Sequence, residues 1–283
     1  IRASGNLTLT NLKLTGGSAG DGGAIYNHGT TTLVNSVFYG NTSTGNNHGA
    51  AIYNAKSGSL SITNCTIAKN TSNYRQGGIY NVGNMTINNS IIALNLSDSS
   101  TTDNIYGSYT GTNNLIDCNP CFRDADNYDL RLYATSVAID AGNNAYASEG
   151  TDSLGHERIY GETVDIGAYE YQGARSTQET ITVTTTSDVS DASDAEISLR
   201  EAVAWCVAGM TVLFDESLAN ETFLLNSEIA IWGGTIINGA NQNITIDAQN
   251  KSRVFYVYKS TGDLTLSYLT LNHSNDELVV LNQ

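Results

Sequence analysis

Apolar and polar residues alternate in short runs near the start of the chain. Leu7, Leu9, Leu12 and Leu14 are separated by one or two polar residues, a spacing typical of a β-strand rather than a helix. Similar runs recur, and glycine or asparagine, which favour turns, bound each of them. The pattern predicts many short strands joined by tight turns.

One phrase recurs at a nearly fixed distance. The sequence reads GGAIYN, GAAIYN and GGIYN in succession, and their isoleucines Ile25, Ile52 and Ile79 are separated by 27 residues each. A second run, ending as apolar-x-x-Asn, follows every copy. Periods of 20–50 residues mark repeat architectures. A unit of this length with two or three strands predicts one turn of a parallel β-solenoid, because a single turn cannot bury its apolar face alone.

Stacked turns, about 4.8 Å apart, align equivalent side chains into ladders. We expect tyrosines to stack on one another and asparagines, whose amides both donate and accept hydrogen bonds, to form further ladders. The candidate ladder residues are Tyr26, Tyr53, Tyr80, Asn27, Asn54, Asn81, Asn41, Asn70 and Asn95.

A short amphipathic helix is predicted after residue 198. Ser198 followed by Glu201 forms a capping box, and Gly209 ends the helix. An open solenoid end exposes apolar side chains and unpaired strand edges, which such a helix covers. We therefore interpret Arg200 and Glu201 as capping residues rather than catalytic ones. The expected fold is all-β, a right-handed, single-stranded parallel β-helix with one short capping α-helix.

These phrases resemble segments of bacterial surface proteins. GGAIYN followed by FYGN, from Phe38 to Asn41, is similar to the GGAI and FxxN repeats of polymorphic outer-membrane proteins and related adhesins. ISLREAV is similar to the SLREA motif that opens many surface β-helix proteins. The segment from Asn119 to Gln172, with AIDAG and DIGAYE, resembles the closing segment of extracellular β-helices called choice-of-anchor domains. The resemblance implies a right-handed β-helix outside the cell, on the bacterial surface.

The order of these segments is permuted. Residues 1–172 resemble the later turns and closing segment of one β-helix module, and residues 173–283 resemble the strand, capping helix and first turns of the next. If Gln283 were joined to Ile1, Leu264 and Leu7 would be 26 residues apart, the spacing of one turn. We expect one period of a head-to-tail array, formed by tandem repeats or by separate subunits. The absence of a signal peptide leads us to expect a processed or excised piece.

The closing segment also contains four candidate metal ligands. Asp140, Asp152, Asp165 and Glu170 would suit a structural Ca²⁺, which prefers several carboxylate and carbonyl oxygens. The alternative is that Arg158 pairs with one or two of these acids in an end cap. No other cofactor is expected.

Composition narrows the range of partners. The chain of 283 residues has a formal net charge of −15, which argues against nucleic acid because phosphate binding requires clustered Lys and Arg. No apolar run approaches the roughly 18 residues of a membrane span. Cys118 and Cys121 form an isolated C-x-x-C, for which a local disulfide or two thiols are both open. The expected partners are further copies of the chain, and host or environmental surface glycans or proteins.

No catalytic constellation is visible. A polygalacturonase-like site would show adjacent aspartates, and the sequence contains no Asp-Asp pair. We therefore expect a non-enzymatic building block of an extracellular bacterial surface protein or fibre, with an adhesive or interaction role. The alternative is a carbohydrate-binding or polysaccharide-degrading β-helix enzyme similar to pectate lyases.

Overall fold

A computed structural model describes residues 1–45, 49–74, 77–97, 104–147, 150–258, 263–272 and 280–282. The chain divides into two compact units. Unit 1 comprises residues 1–120 and 130–175, and unit 2 comprises residues 121–129 and 176–283.

The boundary between the two units at 175/176 lies three residues beyond the boundary predicted at 172/173. Residues 121–129 belong to unit 2, an exchange that the sequence pattern did not predict. Its physical reason is the packing of this segment against the helix of unit 2. Trp205 Nε1 donates a hydrogen bond to the carbonyl oxygen of Arg123 at 2.9 Å, and Cys121 and Phe122 are buried.

Short strands make up most of the regular structure. In chain order they are β1 (Asn6–Thr10), β2 (Lys13–Thr15), β3 (Ser18–Ala19), β4 (Ile25–Asn27), β5 (Thr30–Val34), β6 (Val37–Tyr39), β7 (Thr42–Ser43), β8 (Ile52–Asn54), β9 (Ser59–Thr63), β10 (Thr66–Ala68), β11 (Thr71–Ser72), β12 (Ile79–Asn81), β13 (Asn84–Asn88), β14 (Ile91–Ala93), β15 (Leu96–Ser97), β16 (Ile105–Tyr106), β17 (Leu115–Ile116), β18 (Phe122–Asp124), β19 (Asp129–Leu132), β20 (Thr180–Val183), β21 (Thr211–Phe214), β22 (Thr222–Leu224), β23 (Ile229–Ile231), β24 (Thr235–Asn238), β25 (Ile244–Asp247), β26 (Phe255–Val257), β27 (Leu264–Ser267), β28 (Leu269–Asn272) and β29 (Val280–Asn282).

Unit 1 is a parallel β-solenoid. Each of the first four turns contributes one strand to each of four sheets, and β17 adds a fifth strand to one of them. We name these sheet A (β1, β5, β9, β13), sheet B (β2, β6, β10, β14, β17), sheet C (β3, β7, β11, β15) and sheet D (β4, β8, β12, β16). Neighbouring strands pair in parallel along the stack. The parallel β-solenoid predicted from the repeat is therefore confirmed.

The interior of unit 1 is built from equivalent apolar residues of successive turns. Phe38, Ile67 and Ile92 are in register on sheet B and are fully buried. Ile25, Ile52 and Ile79 form a similar column on sheet D, so the recurring isoleucine is a core position. β-branched residues suit these places because they pack well on a pleated surface.

Glycine in the repeated phrase is required by the corner that precedes sheet D. Gly22 and Gly49 have φ values of 59° and 75°, in the left-handed region that glycine enters without steric cost. A Cβ at either position would also lie about 2.2–2.3 Å from the carbonyl oxygen of Ile25 or Ile52. The corner therefore excludes larger residues for two reasons.

Unit 2 has three sheets of the same kind. They are sheet E (β20, β21, β24, β27), sheet F (β22, β25, β28) and sheet G (β23, β26, β29), again with parallel pairing. Phe214, Phe223 and Phe255 are buried inside them.

One α-helix occurs in the described part of the chain. The helix α1 (Leu199–Trp205) packs against β18, β20 and β23 of unit 2, and single 3₁₀ turns occur at Asn144–Tyr146 and Glu216–Leu218. A membrane-spanning helix needs about 20 apolar residues. No helix among the described residues reaches that length with that apolarity.

Candidate functional site

A tyrosine ladder covers the outer side of sheet D. Tyr26, Tyr53, Tyr80 and Tyr106 are in register, and their ring centroids are separated by 4.7, 5.2 and 4.5 Å along the stack. The rings are nearly parallel, so both faces of Tyr53 and Tyr80, and one face each of Tyr26 and Tyr106, are covered by neighbouring rings. The ladder therefore presents ring edges and hydroxyl groups to solvent, and Tyr106 was not among the residues predicted from the repeat.

Asparagines on the inner side of sheet D form a first buried ladder. Asn27 Nδ2 donates to Asn54 Oδ1 at 2.8 Å, and Asn54 Nδ2 donates to Asn81 Oδ1 at 2.7 Å. The second amide hydrogen of Asn54 reaches the carbonyl oxygen of Asn84. These side chains are fully buried, so the ladder satisfies polar groups inside the solenoid.

A second buried ladder follows sheet B. The side-chain amides of Asn41, Asn70 and Asn95 donate along the stack to the next Oδ1 at 2.8 Å, and Asn104 continues the row. Asn104 Nδ2 then donates to Asp117 Oδ1 at 2.7 Å. The same Oδ1 atoms also accept a backbone N–H from the preceding rung, so each asparagine joins two turns by side chain and main chain.

A third asparagine row was missed by sequence reasoning. These residues occupy the corner between sheets A and B, all with left-handed φ values of 47–55°, a conformation that asparagine tolerates. They are Asn11, Asn35, Asn64, Asn89 and Asn113. The signal was present, because an asparagine recurs directly after each sheet A strand, but it was not distinguished from other polar residues.

The corner row holds the segment that resembles a choice-of-anchor closing segment. We call residues 138–147 and 150–171 the strap. The asparagine Nδ2 atoms donate at 3.0 Å to strap carbonyl oxygens, in the pairs Asn35 with Thr151, Asn64 with Tyr146 and Asn89 with Asn143. The strap therefore crosses successive rungs of the solenoid.

The strap then covers the outer side of sheet B. Ala168 N donates to Thr66 Oγ1 at 3.0 Å, and the Lys13 ammonium lies 5.7 Å from the centre of the Tyr169 ring, within cation–π range. Val37, Thr66 and Ile91 point outward yet are buried. An end cap was expected here, but this segment lies along a side of the solenoid, because the outer face of sheet B is itself apolar and needs cover.

Arg158 lies at the centre of the strap and is only 2% exposed. Its Nη2 donates to the carbonyl oxygens of Asp165 and Gly167 at 3.0 and 2.7 Å, and its Nη1 lies 3.4 Å from Glu170 Oε2. A buried guanidinium of this kind is stable only with such partners.

The candidate calcium ligands accept backbone hydrogen bonds in the same strap. Asp152, Asp165 and Glu170 are buried, whereas Asp140 is exposed. The Asp152 carboxylate accepts from the backbone N–H groups of Leu154, His156 and Glu170. The Asp165 carboxylate accepts from those of Asp140 and Tyr171, and the Glu170 carboxylate accepts from those of Tyr160 and Asp165. Within the described ranges no three His, Cys, Asp or Glu side chains form a group able to hold a metal ion. The carboxylates of Asp152, Asp165 and Glu170 order the strap backbone around Arg158.

Burial dominates the titration of this cluster. It raises the pKa of Glu170 to about 7 and that of Asp165 to about 6, although backbone N–H groups and Arg158 oppose both shifts. Burial also lowers the pKa of Arg158, against the attraction of Glu170, Asp165 and Asp152. Deprotonating the two carboxyl groups is therefore costly while the strap remains closed.

The helix start of unit 2 has the predicted capping chemistry. Glu201 N donates to Ser198 Oγ at 3.1 Å, and Ser198 N donates to Glu201 Oε2 at 2.9 Å. Arg200 Nε and Nη2 each donate to Asp188 at 2.9 Å, and Nη2 also reaches the Ser227 carbonyl oxygen. All three side chains thus tie the helix to its surrounding loops.

All four cysteines are thiols and three of them are buried, while His156 Nδ1 lies 3.4 Å from Asp152 Oδ2 in the strap. Cys65 is fully buried, and burial raises its pKa to about 12. Burial also raises the pKa of Cys118 to about 11, while Cys121 Sγ lies 4.0 Å from the carbonyl oxygen of Cys206. His28 is exposed beside Tyr26, and His48 lies outside the described residues.

No protein-family model, curated protein or solved structure matches this chain. One open depression of about 500 Å³ occurs near Asp140 and Glu162, lined also by Tyr160 and Gly173 of unit 1.

Proposed function

We propose that this chain is a structural module of an extracellular bacterial surface protein or fibre. It extends a stiff rod by stacking its outer rungs on those of further modules, and it offers an adhesive face along the rod. Parallel backbone pairing from rung to rung within each unit supports the first part, because every rung added satisfies the strand edge of the rung before it.

The main support for the proposal comes from the two outermost rungs, whose apolar side chains are partly exposed. β1 and β2 are edge strands of unit 1, and β27 and β28 are edge strands of unit 2. Their inward leucines are only partly covered, and Leu12 is 44% exposed. Fully burying such side chains contributes on the order of 1 kcal/mol each. Adding a further rung at either edge should therefore lower the free energy by burying these leucines.

The two edges also have the same backbone conformation at the corner between their strands. Asn11 and Tyr268, which separate the two strands of each edge, have φ values of 55° and 56°. Aligning these corners places Leu264 opposite Leu7 and Leu266 opposite Leu9, with all four side chains inward. In the same alignment Leu269 covers Leu12 and Leu271 covers Leu14. The proposed contact is thus a parallel rung that continues sheets A and B of one module from sheets E and F of another.

Sedimentation velocity over a wide range of concentrations tests this contact. We expect linear oligomers that lengthen with concentration, and single variants Leu9→Glu and Leu266→Glu that do not elongate. An equimolar mixture of the two variants should form dimers and nothing longer, because each retains one intact edge. Val82→Glu, at an exposed position away from both edges, should assemble normally. A chain that stays monomeric, or edge variants that elongate like the original, would contradict the proposal.

The outer side of sheet A supports the adhesive part. Two columns of outward residues contain hydroxyl and amide groups and no charge, although the chain has a net charge of −15. We call them the neutral face, formed by Thr8, Thr32, Ser61, Thr86 and Thr110, and by Asn6, Thr30, Ser59 and Asn84. An uncharged, regularly spaced array of donors and acceptors suits a neutral glycan better than a charged one.

Co-sedimentation with insoluble neutral polysaccharides, compared with polyuronates, tests the face. The original chain should pellet with neutral polysaccharide, and Thr32→Glu combined with Thr86→Glu should reduce binding about tenfold, equivalent to about 1.4 kcal/mol. Thr71→Glu, exposed on sheet C, is the matched control. Equal binding by all three proteins would place adhesion elsewhere.

The alternative of a carbohydrate-active enzyme has less support. Sugar-binding platforms need open aromatic faces, and the tyrosines of sheet D cover most of one another's faces. Among the described residues, a single exposed ring, that of Tyr160, lines the depression near Asp140 and Glu162. Incubation with polyuronates and neutral glycans, followed by assay of new reducing ends, separates the two functions. Release of products that depends on Asp140 or Glu162 would favour the enzyme.

A further inference from the structure

The tyrosine ladder brings oxidisable rings into a fixed column. Tyr80 and Tyr106 are its closest and most parallel pair, with ring centroids 4.5 Å apart and planes 3° from parallel. The strands β12 and β16 are in register at these residues, so the same ring atoms lie beside each other on successive rungs. Tyr106 is 46% exposed, which leaves an edge of this pair open to a small oxidant.

We propose that the ladder is a site of oxidative tyrosine cross-linking, and that the Tyr80–Tyr106 pair reacts first. This inference is independent of the stacking and adhesion proposed above. A one-electron oxidant removes an electron and a proton from each phenol, which gives two neutral phenoxyl radicals. The radicals couple through one Cε atom of each ring, and the hydrogen on each of these carbons then moves to the phenol oxygen as the rings regain aromaticity.

The balance is one new carbon–carbon bond and the loss of two electrons and two protons. Hydrogen peroxide, reduced by a haem peroxidase, accepts these two electrons and two protons and becomes two molecules of water. Both phenol hydroxyl groups are retained in the product. The proposal therefore requires an external peroxide or an equivalent one-electron oxidant and no group from the chain beyond the two tyrosines.

The geometry favours coupling inside the ladder over coupling between molecules. Holding two reacting groups side by side replaces a bimolecular encounter with an effectively unimolecular step. The other two pairs, Tyr26 with Tyr53 and Tyr53 with Tyr80, have centroids 4.7 and 5.2 Å apart and planes 15° from parallel. Tyr106 also belongs to a strand of two residues, so its ring is held by less regular structure and can tilt toward Tyr80.

The test oxidises the dilute folded chain with hydrogen peroxide and a haem peroxidase, and in parallel with photo-activated ruthenium tris-bipyridyl and persulfate as a small oxidant. Dityrosine fluorescence should appear in the monomer fraction, and peptide mass spectrometry should locate the link between Tyr80 and Tyr106. We expect several-fold more of this link than in the chain oxidised in urea. The linked protein should also unfold at a higher urea concentration than the unlinked protein.

Two variants provide the controls. Tyr106→Phe keeps an aromatic ring in the column but cannot form a phenoxyl radical, so the link should be lost while the circular dichroism spectrum is unchanged. Tyr128→Phe removes an equally exposed tyrosine outside the ladder and should leave the link intact. Links confined to Tyr26–Tyr53 or Tyr53–Tyr80 would overturn the assignment to the last rung. A yield no higher than in urea, or links only between molecules, would overturn the ladder site altogether.

Discussion

Asn70 and Asn95 are joined across successive rungs by two hydrogen bonds to one oxygen. Asn95 Oδ1 accepts from Asn70 Nδ2 at 2.8 Å and from Asn70 N at 3.1 Å. Asn70 repeats the arrangement toward Asn41, and all three side chains are buried. The ladder therefore links the rungs inside the solenoid independently of the sheets, and any rung that lost its asparagine would leave polar groups of its neighbours without partners.

Replacing Asn70 by alanine tests this coupling. The change removes the acceptor of Asn41 N and the donor to the carbonyl oxygens of Phe38 and Ala68. Leaving buried polar groups unpaired should lower the free energy of unfolding by about 2–4 kcal/mol, measured by urea denaturation. Asn73→Ala, at an exposed position of the same turn, should change stability by less than about 0.5 kcal/mol. Equal effects of the two substitutions would show that the ladder contributes nothing specific.

The solenoid could be predicted from sequence because its information is local and repeated. A core isoleucine, a turn glycine and an outward tyrosine recur together, and each copy faces the same surroundings in the next rung. The recurrence of the phrase at a fixed spacing is therefore enough to predict that Tyr26 pairs with Tyr53.

The strap could not be predicted in this way. Its residues have no period, and its contacts join positions far apart in sequence, such as Asn35 with Thr151, separated by 116 residues. The acidic residues were visible, but their partners are backbone N–H groups, which leave no trace in composition. Only Arg158 suggested the observed arrangement, because a lone arginine among several carboxylates in an apolar segment needs partners when buried.

Arg158 should be the most sensitive residue of the strap. Arg158→Ala removes the donor to the carbonyl oxygens of Asp165 and Gly167 and the cation beside Glu170. At about pH 8, above the raised pKa values of Glu170 and Asp165, breaking a buried ion pair of this kind typically costs about 3–5 kcal/mol. We expect a matching loss in the free energy of unfolding of unit 1, together with faster proteolysis within the strap. Arg175→Ala, at an exposed position, is the matched control. An Arg158 variant as stable and as resistant as that control would show that the strap closes without the ion pair.

The capping box of unit 2 gives a smaller expected effect. Ser198→Ala removes the acceptor of Glu201 N and the hydrogen bond from Ser198 Oγ to the Val189 carbonyl oxygen at 2.6 Å. Loss of such an N-cap should cost about 1–2 kcal/mol, measured by urea denaturation followed through tryptophan fluorescence, since Trp205 ends the helix. Thr177→Ala, at an exposed position outside the helix, should be close to neutral. A Ser198 variant as stable as this control would contradict a capping role.

The strap should also make unit 1 less stable as the pH rises. The pKa of Glu170 is raised from 4.5 to about 7 and that of Asp165 from 3.8 to about 6, chiefly by burial. Between these values the folded unit binds more protons than the unfolded chain. The contribution of these two carboxyl groups to the free energy of unfolding should therefore be greatest below about pH 4 and should fall as the pH rises toward about 7. Urea denaturation at a series of pH values measures this slope. Glu170→Gln should flatten the upper part of it, whereas Glu162→Gln, at an exposed position, should not. Stability that increases over the same interval would mean that Arg158 and the backbone N–H groups outweigh burial and hold both carboxylates ionised.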